Sequence, residues 1–292
     1  MDTRFLKSLL VTVEKGSIAE AARFSGLTAA AVGQRIRALE NELKVDLLNR
    51  VGHNAIPTHA CVQMLPRVRR MVQDADNLSG DIDETGLTGT FRIGAISTVL
   101  TDDMPEVLRS LQRNHTTLQP YIVPGASKDL YSDLVAEKID AALTVEPPIA
   151  LPKSIRKTIL REEPLVFLSK KRPTDSILTS LLSEPYIAYD PEAWGVKMID
   201  AYLTKADVEK KPFCILDSPE TIAILVCDGV GVTILPRWVG LQRYARKLYI
   251  SKSLGNEFSR RICLLTHATP KRGPMIKVLK DALVATGATR KR

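Results

Sequence analysis

Residues 17–50 read SIAEAARFSGLTAAAVGQRIRALENELKVDLLNR. Ser17 followed three residues later by Glu20 is a capping box. It predicts a helix whose first turn is closed by the Ser hydroxyl, with the Glu side chain reaching back. That helix carries Ile18, Ala21, Ala22 and Phe24, and its alanines allow close approach of a neighbour. Ser25-Gly26-Leu27 is a tight turn, and Thr28 is a good N-cap for the next helix. There Val32, Ile36, Leu39 and Leu43 recur at spacings of four, three and four, which makes a buried seam. Ala30, Gly33, Gln34 and Arg37 fall on another face. Two helices joined by a glycine turn, the second with a small and polar outer face, suit a helix-turn-helix. Small residues let the backbone enter a DNA major groove; Gln matches adenine, and Arg matches guanine or phosphate. A helical hairpin that merely packs shares this pattern.

The flanks favour the first reading. Upstream, Phe5, Leu6, Leu9, Leu10 and Val13 give a helix over about 3–14, stopped by Gly16. Downstream, residues 47–50 and 56–58 read as two short extended pieces around Gly52-His53-Asn54, a small hairpin or wing. With residues 17–22, 27–40 and 47–50 in this order and spacing, the first sixty residues resemble the winged helix-turn-helix of LysR-type transcriptional regulators. The resemblance implies contacts to double-stranded DNA from Thr28, Ala29, Ala30, Gly33, Gln34 and Arg37, and a phosphate contact from Arg50. Thr28 and Gly33 stand where that family usually has serine, and Ala29 where it usually has a polar residue. The recognition face is thus poorer in hydrogen-bond donors than is usual.

From the N-cap Thr58, a further helix is expected through residue 86. Its apolar positions are Met64/Leu65, Val68, Met71/Val72, Ala75, Leu78 and Ile82, a heptad-like seam. Pro66 should kink or break it. It is either a core helix of its own chain or, by the resemblance, a linker pairing antiparallel with a second subunit in a homodimer or tetramer. The turn-rich run Thr85–Thr90 predicts a domain boundary near residue 87.

The remaining two hundred residues alternate strands and helices, which predicts an α/β domain with mostly parallel sheet. Residues 155–169 read as extended with a break at Pro164, a plausible crossing between two lobes. One lobe is expected over about 91–163 and 267–292, the other over about 164–266. Residues 91–95, 139–143 and 229–236 extend the resemblance to the effector domain of the same regulators, with a two-lobed, periplasmic-binding-protein-like fold. Ligands in such sheets bind beyond the strand ends. Ser97, Thr98, Ser127, Thr144, Ser218, Thr221 and Val230 are the candidate effector-binding residues, with the hydroxyls of Ser97 and Thr98 expected to point into the crevice. Each Ser or Thr taken singly is more often just a helix cap. Carboxylates suit helix N-termini, so an organic acid or amino acid is the first expectation. Glu146, Asp190 and Asp217 lie near strand ends and equally favour an amine.

The net charge of the 292-residue chain is +8. Residues 1–60 hold eight Lys/Arg against six Asp/Glu, only +2, so the nucleic-acid reading rests on motif rather than on charge. The rest of the excess lies further on, including the basic tail at 290–292. Four scattered cysteines with no CxxC argue against a disulfide framework or zinc site and suit a reduced cytoplasm. No long apolar run and no signal-peptide pattern is visible. No GxSxG, HExxH or P-loop occurs, the Gly229-Val230-Gly231 run precedes a strand rather than following one, and no cofactor motif is legible. His53, His59, His115 and His267 read as solvated or structural. An enzyme is therefore not expected. A solute-binding protein or an α/β ligase-like enzyme would match only the C-terminal half. The expected partners are DNA, a small polar metabolite, a second copy of the chain and RNA polymerase, with no membrane.

Overall fold

The computed structural model describes residues 1–52, 54–81, 83, 85–255 and 257–289. Two compact units divide the chain, Met1–Glu84 and Thr85–Arg292. The expectations for His53, Ile82 and the basic tail at 290–292 lie outside the described residues.

In the first unit, α1 (Thr3–Lys15), α2 (Ile18–Ser25) and α3 (Ala29–Leu43) precede a hairpin of β1 (Leu48–Val51) and β2 (Asn54–Pro57). The hairpin is antiparallel, with Leu48 opposite Pro57 and Arg50 opposite Ala55. This is the winged helix-turn-helix that the sequence predicts. Its core is Leu6, Leu9, Ala21, Ala22, Val32, Ile36, Leu39, Leu47 and Ala55. Each buried Leu or Ile there stabilises by about 1.5–3 kcal/mol. Gly16 and Gly26 end α1 and α2 in the left-handed conformation, at φ +74° and +63°. The capping box is half formed. Ser17 Oγ accepts from the Glu20 N–H at 3.1 Å, but the Glu20 carboxylate turns outward to Arg23. Phe24 is also outside the core, 67% exposed, with the Lys15 ammonium 4.4 Å from its ring centre.

α4 (His59–Asp81) follows, capped by Thr58, whose Oγ1 accepts from the Cys61 N–H at 3.2 Å. It runs through Pro66 without the expected break. Pro66 and Val62 both lie on the exposed side, where water can meet the carbonyl that the proline leaves unbonded. The apolar seam divides. Val68 and Val72 are buried with the α1–α3 core, whereas Met71 (41%) and Leu78 (62%) are exposed. Lys7 and Arg69 tie α1 and α4 together through Asp76 and Glu14.

The second unit begins β3 (Gly89–Ala95), α5 (Ser97–Asp102), α6 (Met104–Asn114), β4 (Leu118–Pro124), α7 (Ser127–Val135) and β5 (Ala141–Val145). β3 lies between β4 and β5, parallel to both. β6 (Ile155–Ser169) then serves both lobes. Its first half is an edge strand against β11 (Ser259–His267), which runs antiparallel between β6 and β5. Beyond Pro164 the same strand enters the second lobe, between β9 (Thr233–Pro236) and β10 (Tyr249–Ile250), antiparallel to both. The burial follows the change of role: residues 156–159 are exposed, and Leu165–Leu168 are buried in an unbroken apolar run.

The second lobe is completed by α8 (Ile177–Ser183), β7 (Ile187–Tyr189), α9 (Val196–Lys205), β8 (Cys214–Leu216) and α10 (Pro219–Asp228). β7 and β8 are parallel. Two cores result, one around Phe91, Ile93, Leu143 and Leu264, the other around Phe167, Ile187, Ile222 and Trp238. The sheet is mixed rather than mostly parallel, because the crossing strands run against their neighbours. The return crossing comes at Ser259, which pairs with Pro164, and Ile262–Leu265 already belong to the first core; that is earlier than residue 267. α11 (Gly273–Thr289) closes the chain against α6.

Candidate functional site

The outer face of α3 is set by its cap. Thr28 Oγ1 accepts from the Ala31 N–H at 3.2 Å, so one lone pair of this hydroxyl is committed to the helix. Thr28, Ala29, Ala30, Gln34 and Arg37 are exposed. The Gly33 backbone is shielded by its neighbours, yet a Cβ built there would meet nothing within 4 Å. The face is thus a shallow small-residue surface flanked by one amide and one guanidinium. Arg35 turns the other way and donates to Ser8 Oγ at 3.2 Å, pinning α3 to α1. The Arg50 backbone lies in β1. Glu40 is a residue that sequence reasoning misses. Its carboxylate accepts from the N–H groups of Leu47 (2.9 Å) and Leu48 (3.2 Å), which fixes where the wing leaves the helix. An acidic residue near the end of a helix, eight positions before a strand, was the available signal.

In the second unit, a crevice of about 430 Å³ opens between the lobes. Ser97, Lys128 and Asp129 line it from the first lobe; Asp190, Trp194 and Asp217 line it from the second. Such a volume suits a small molecule. Trp194 packs on the first core and meets Tyr131 at 5.9 Å between ring centres.

The structure scatters the hydroxyls grouped by the sequence. Ser97 lies in the crevice, but its Oγ donates to Glu220 Oε2 at 3.1 Å. Thr98 does not point into the crevice: it is 1% exposed, and its Oγ1 accepts from Arg260 Nη2 at 3.1 Å. The turn from β3 into α5 throws successive side chains to opposite sides, so only one of the pair can face the opening. Ser127 lines the crevice and its Oγ accepts from the Val145 N–H. Thr144 is fully buried within the sheet, beside Cys263. Ser218 caps α10 and accepts from Thr221, and neither lines the crevice. Val230 sits in the turn after α10, also away from it. Glu146 is engaged by Arg261 and Lys157.

Behind Ser97 lies a buried ionic cluster that sequence reasoning also misses. Glu163 accepts from Arg260 (2.7 Å) and Arg161 (2.8 Å), and Arg161 also reaches Asp103 at 2.6 Å. These charges come from segments far apart in the chain, and a lone charge in a strand reads as solvated. Burial pushes the Glu163 carboxyl up, but the two guanidiniums outweigh it and hold it below its ordinary range.

Two family models cover nearly all of the chain. Residues 3–62 match the bacterial regulatory helix-turn-helix protein, lysR family, and residues 84–288 match the LysR substrate binding domain. The chain belongs to the LysR family. It is a LysR-type DNA-binding transcriptional regulator with a C-terminal effector-binding domain. The regulator is 28% identical over 169 residues to the HTH-type transcriptional regulator DgdR of Burkholderia cepacia, a match spanning 58% of this chain and 56% of DgdR. It is 24% identical over 238 residues to the HTH-type transcriptional regulator CzcR of Bacillus anthracis, 81% of each chain. Full-length CbnR, solved in complex with its target DNA, shares the fold at TM-score 0.71 and 18% identity, over 98% of this regulator and 100% of CbnR. Among the regulator's described residues, no helix is long and apolar enough to cross a membrane, and no group of His, Cys, Asp and Glu could hold a metal ion.

Proposed function

We propose that this regulator binds operator DNA as a cytoplasmic homodimer and that a small polar metabolite between its lobes alters DNA binding or bending. The working division is a DNA-binding domain over 1–60, a linker segment over 58–86 that contains α4, and an effector domain from 87. Gln34 and Arg37 read base edges while Thr28, Ala29, Ala30 and Gly33 permit close approach; Arg50 meets phosphate. The exposure of Met71 and Leu78 on α4 supports pairing of two chains through that face. Among the candidate effector residues, Ser97 and Ser127 line the crevice and keep their place. Thr98, Thr144, Ser218, Thr221 and Val230 are better read as supports of the fold. RNA polymerase is a further partner of this reading.

The observation that carries it is the crevice itself, walled by both lobes on either side of the β6 and β11 crossings. A ligand touching both walls favours one hinge angle over another, and that difference in affinity is what shifts an equilibrium. Genomic footprinting of bound DNA, read together with transcript levels of the adjacent genes, tests the proposal. A footprint with no enriched sequence would overturn it.

A further inference from the structure

We propose that the ligand of this crevice carries a positive charge, an ammonium or guanidinium group held between carboxylates of the two lobes. The inference deepens, and rests on, the reading of the crevice as the effector site; the cavity makes the site, and its side chains set the ligand's charge.

The side-chain hydroxyls of α5 that an anion would seek are already engaged. Ser97 Oγ donates to Glu220 Oε2 at 3.1 Å, and Thr101 Oγ1 lies 3.3 Å from Glu220 Oε1. The protein thus places its own carboxylate on hydroxyls at both ends of α5. Thr98 is shut away under Arg260. The first turn of α7, which also opens on the crevice, carries its own acid, Asp129.

The walls are acidic. Asp129 projects from the first lobe, and Asp190, Glu192 and Asp217 from the second. Lys128 is the one cation lining the cavity among the described residues, and it stands 3.8 Å from Glu192. Asp217 is raised above the usual carboxylate range, first by burial and then by the charges of Asp190 and Asp129. Like charges facing one another across the opening resist closure; a cation between them turns that repulsion into attraction. Trp194 and Tyr189 add aromatic surface to the same wall, suited to a cation.

The test is calorimetric titration of the full-length regulator with arginine, lysine and putrescine, set against succinate, benzoate and uncharged ribose. At least one cationic probe is expected to bind, and Asp217→Asn and Asp190→Asn should each weaken it about tenfold or more. Ala126→Trp, which fills the exposed rim, should abolish binding without touching either core. Preferential binding of an uncharged or anionic probe that Ala126→Trp abolishes would overturn the charge assignment and keep the crevice. Binding of any probe unaffected by Ala126→Trp and both Asn variants would overturn the crevice reading itself. No binding by any cation at about 10 mM, well above a millimolar Kd, would overturn the proposal.

Discussion

The carboxylate of Glu163 and the guanidinium of Arg260 meet at 2.7 Å where the chain crosses between lobes, with both side chains no more than 2% exposed. Arg260 also holds Thr98, and Arg161 joins the cluster from the same strand as Glu163. Removing one partner of a buried pair strands the other. Arg260→Ala is therefore expected to destabilise the effector domain by about 3–5 kcal/mol, read as a lower urea midpoint. An unchanged midpoint would show that the cluster contributes nothing.

The same cluster sets an acid limit. The folded Glu163 carboxyl lies below its ordinary value of 4.5. Its contribution is present in full above that value and is lost as the pH falls through the lower folded value. Unfolding midpoints measured from pH 6 down to pH 3 should fall more steeply for the parent than for Glu163→Gln. Parallel curves would contradict this.

On the α3 face, Gln34→Ala and Arg37→Ala should each cost about 1–3 kcal/mol of operator binding and leave nonspecific binding nearly intact. Arg50→Ala should weaken binding to every sequence and reduce the salt slope by about one unit. Gel-shift titrations at several salt concentrations separate the two. Equal affinity for all three variants would remove this face from DNA recognition.

Two glycines should respond in opposite ways. A Cβ at Gly231 would stand 2.2 Å from the Pro185 carbonyl oxygen, a backbone atom that also accepts from Val232. Gly231→Ala should cost about 1–3 kcal/mol. Gly33→Ala meets open space and sits within a helix, so it should stabilise by up to about 1 kcal/mol. Thermal melts of the pair decide this; destabilisation by Gly33→Ala would refute the open geometry.

The split of the α4 seam separates assembly from folding. Leu78→Glu and Met71→Glu place charge on exposed positions and should lower the subunit count in light scattering with the melting curve of unit one retained. Val68→Glu buries a charge against α1 and should unfold that unit. A Leu78→Glu, Met71→Glu double variant that keeps the parent's mass would place the pairing face elsewhere.

The helix-turn-helix was legible because its signals are local. Ser17, Gly26 and Thr28 act on groups within three or four residues of themselves, and the Val32–Ile36–Leu39 spacing is a property of one helix. The two-lobed α/β plan was legible for the same reason: each strand and helix announces itself by its own period, and Pro164 marks the crossing. Even there, Glu20 left its cap for Arg23, since an exposed carboxylate near an arginine one turn away has a competing partner.

The crevice was legible only as a place. The sequence placed Ser97, Ser127 and Ser218 at strand ends, and the resemblance implied that such ends meet in a crevice. The tertiary structure decided what each side chain does there. Thr98 or Ser97 facing the opening is a question of which side of one turn is buried, and the answer came from Arg260, 162 residues away. Whether Ser97 is open to an anion depended on Glu220, 123 residues away. Local pattern fixes the backbone's periodicity; the charge of a site is a sum over neighbours that are distant in sequence, and only packing brings them within hydrogen-bonding reach.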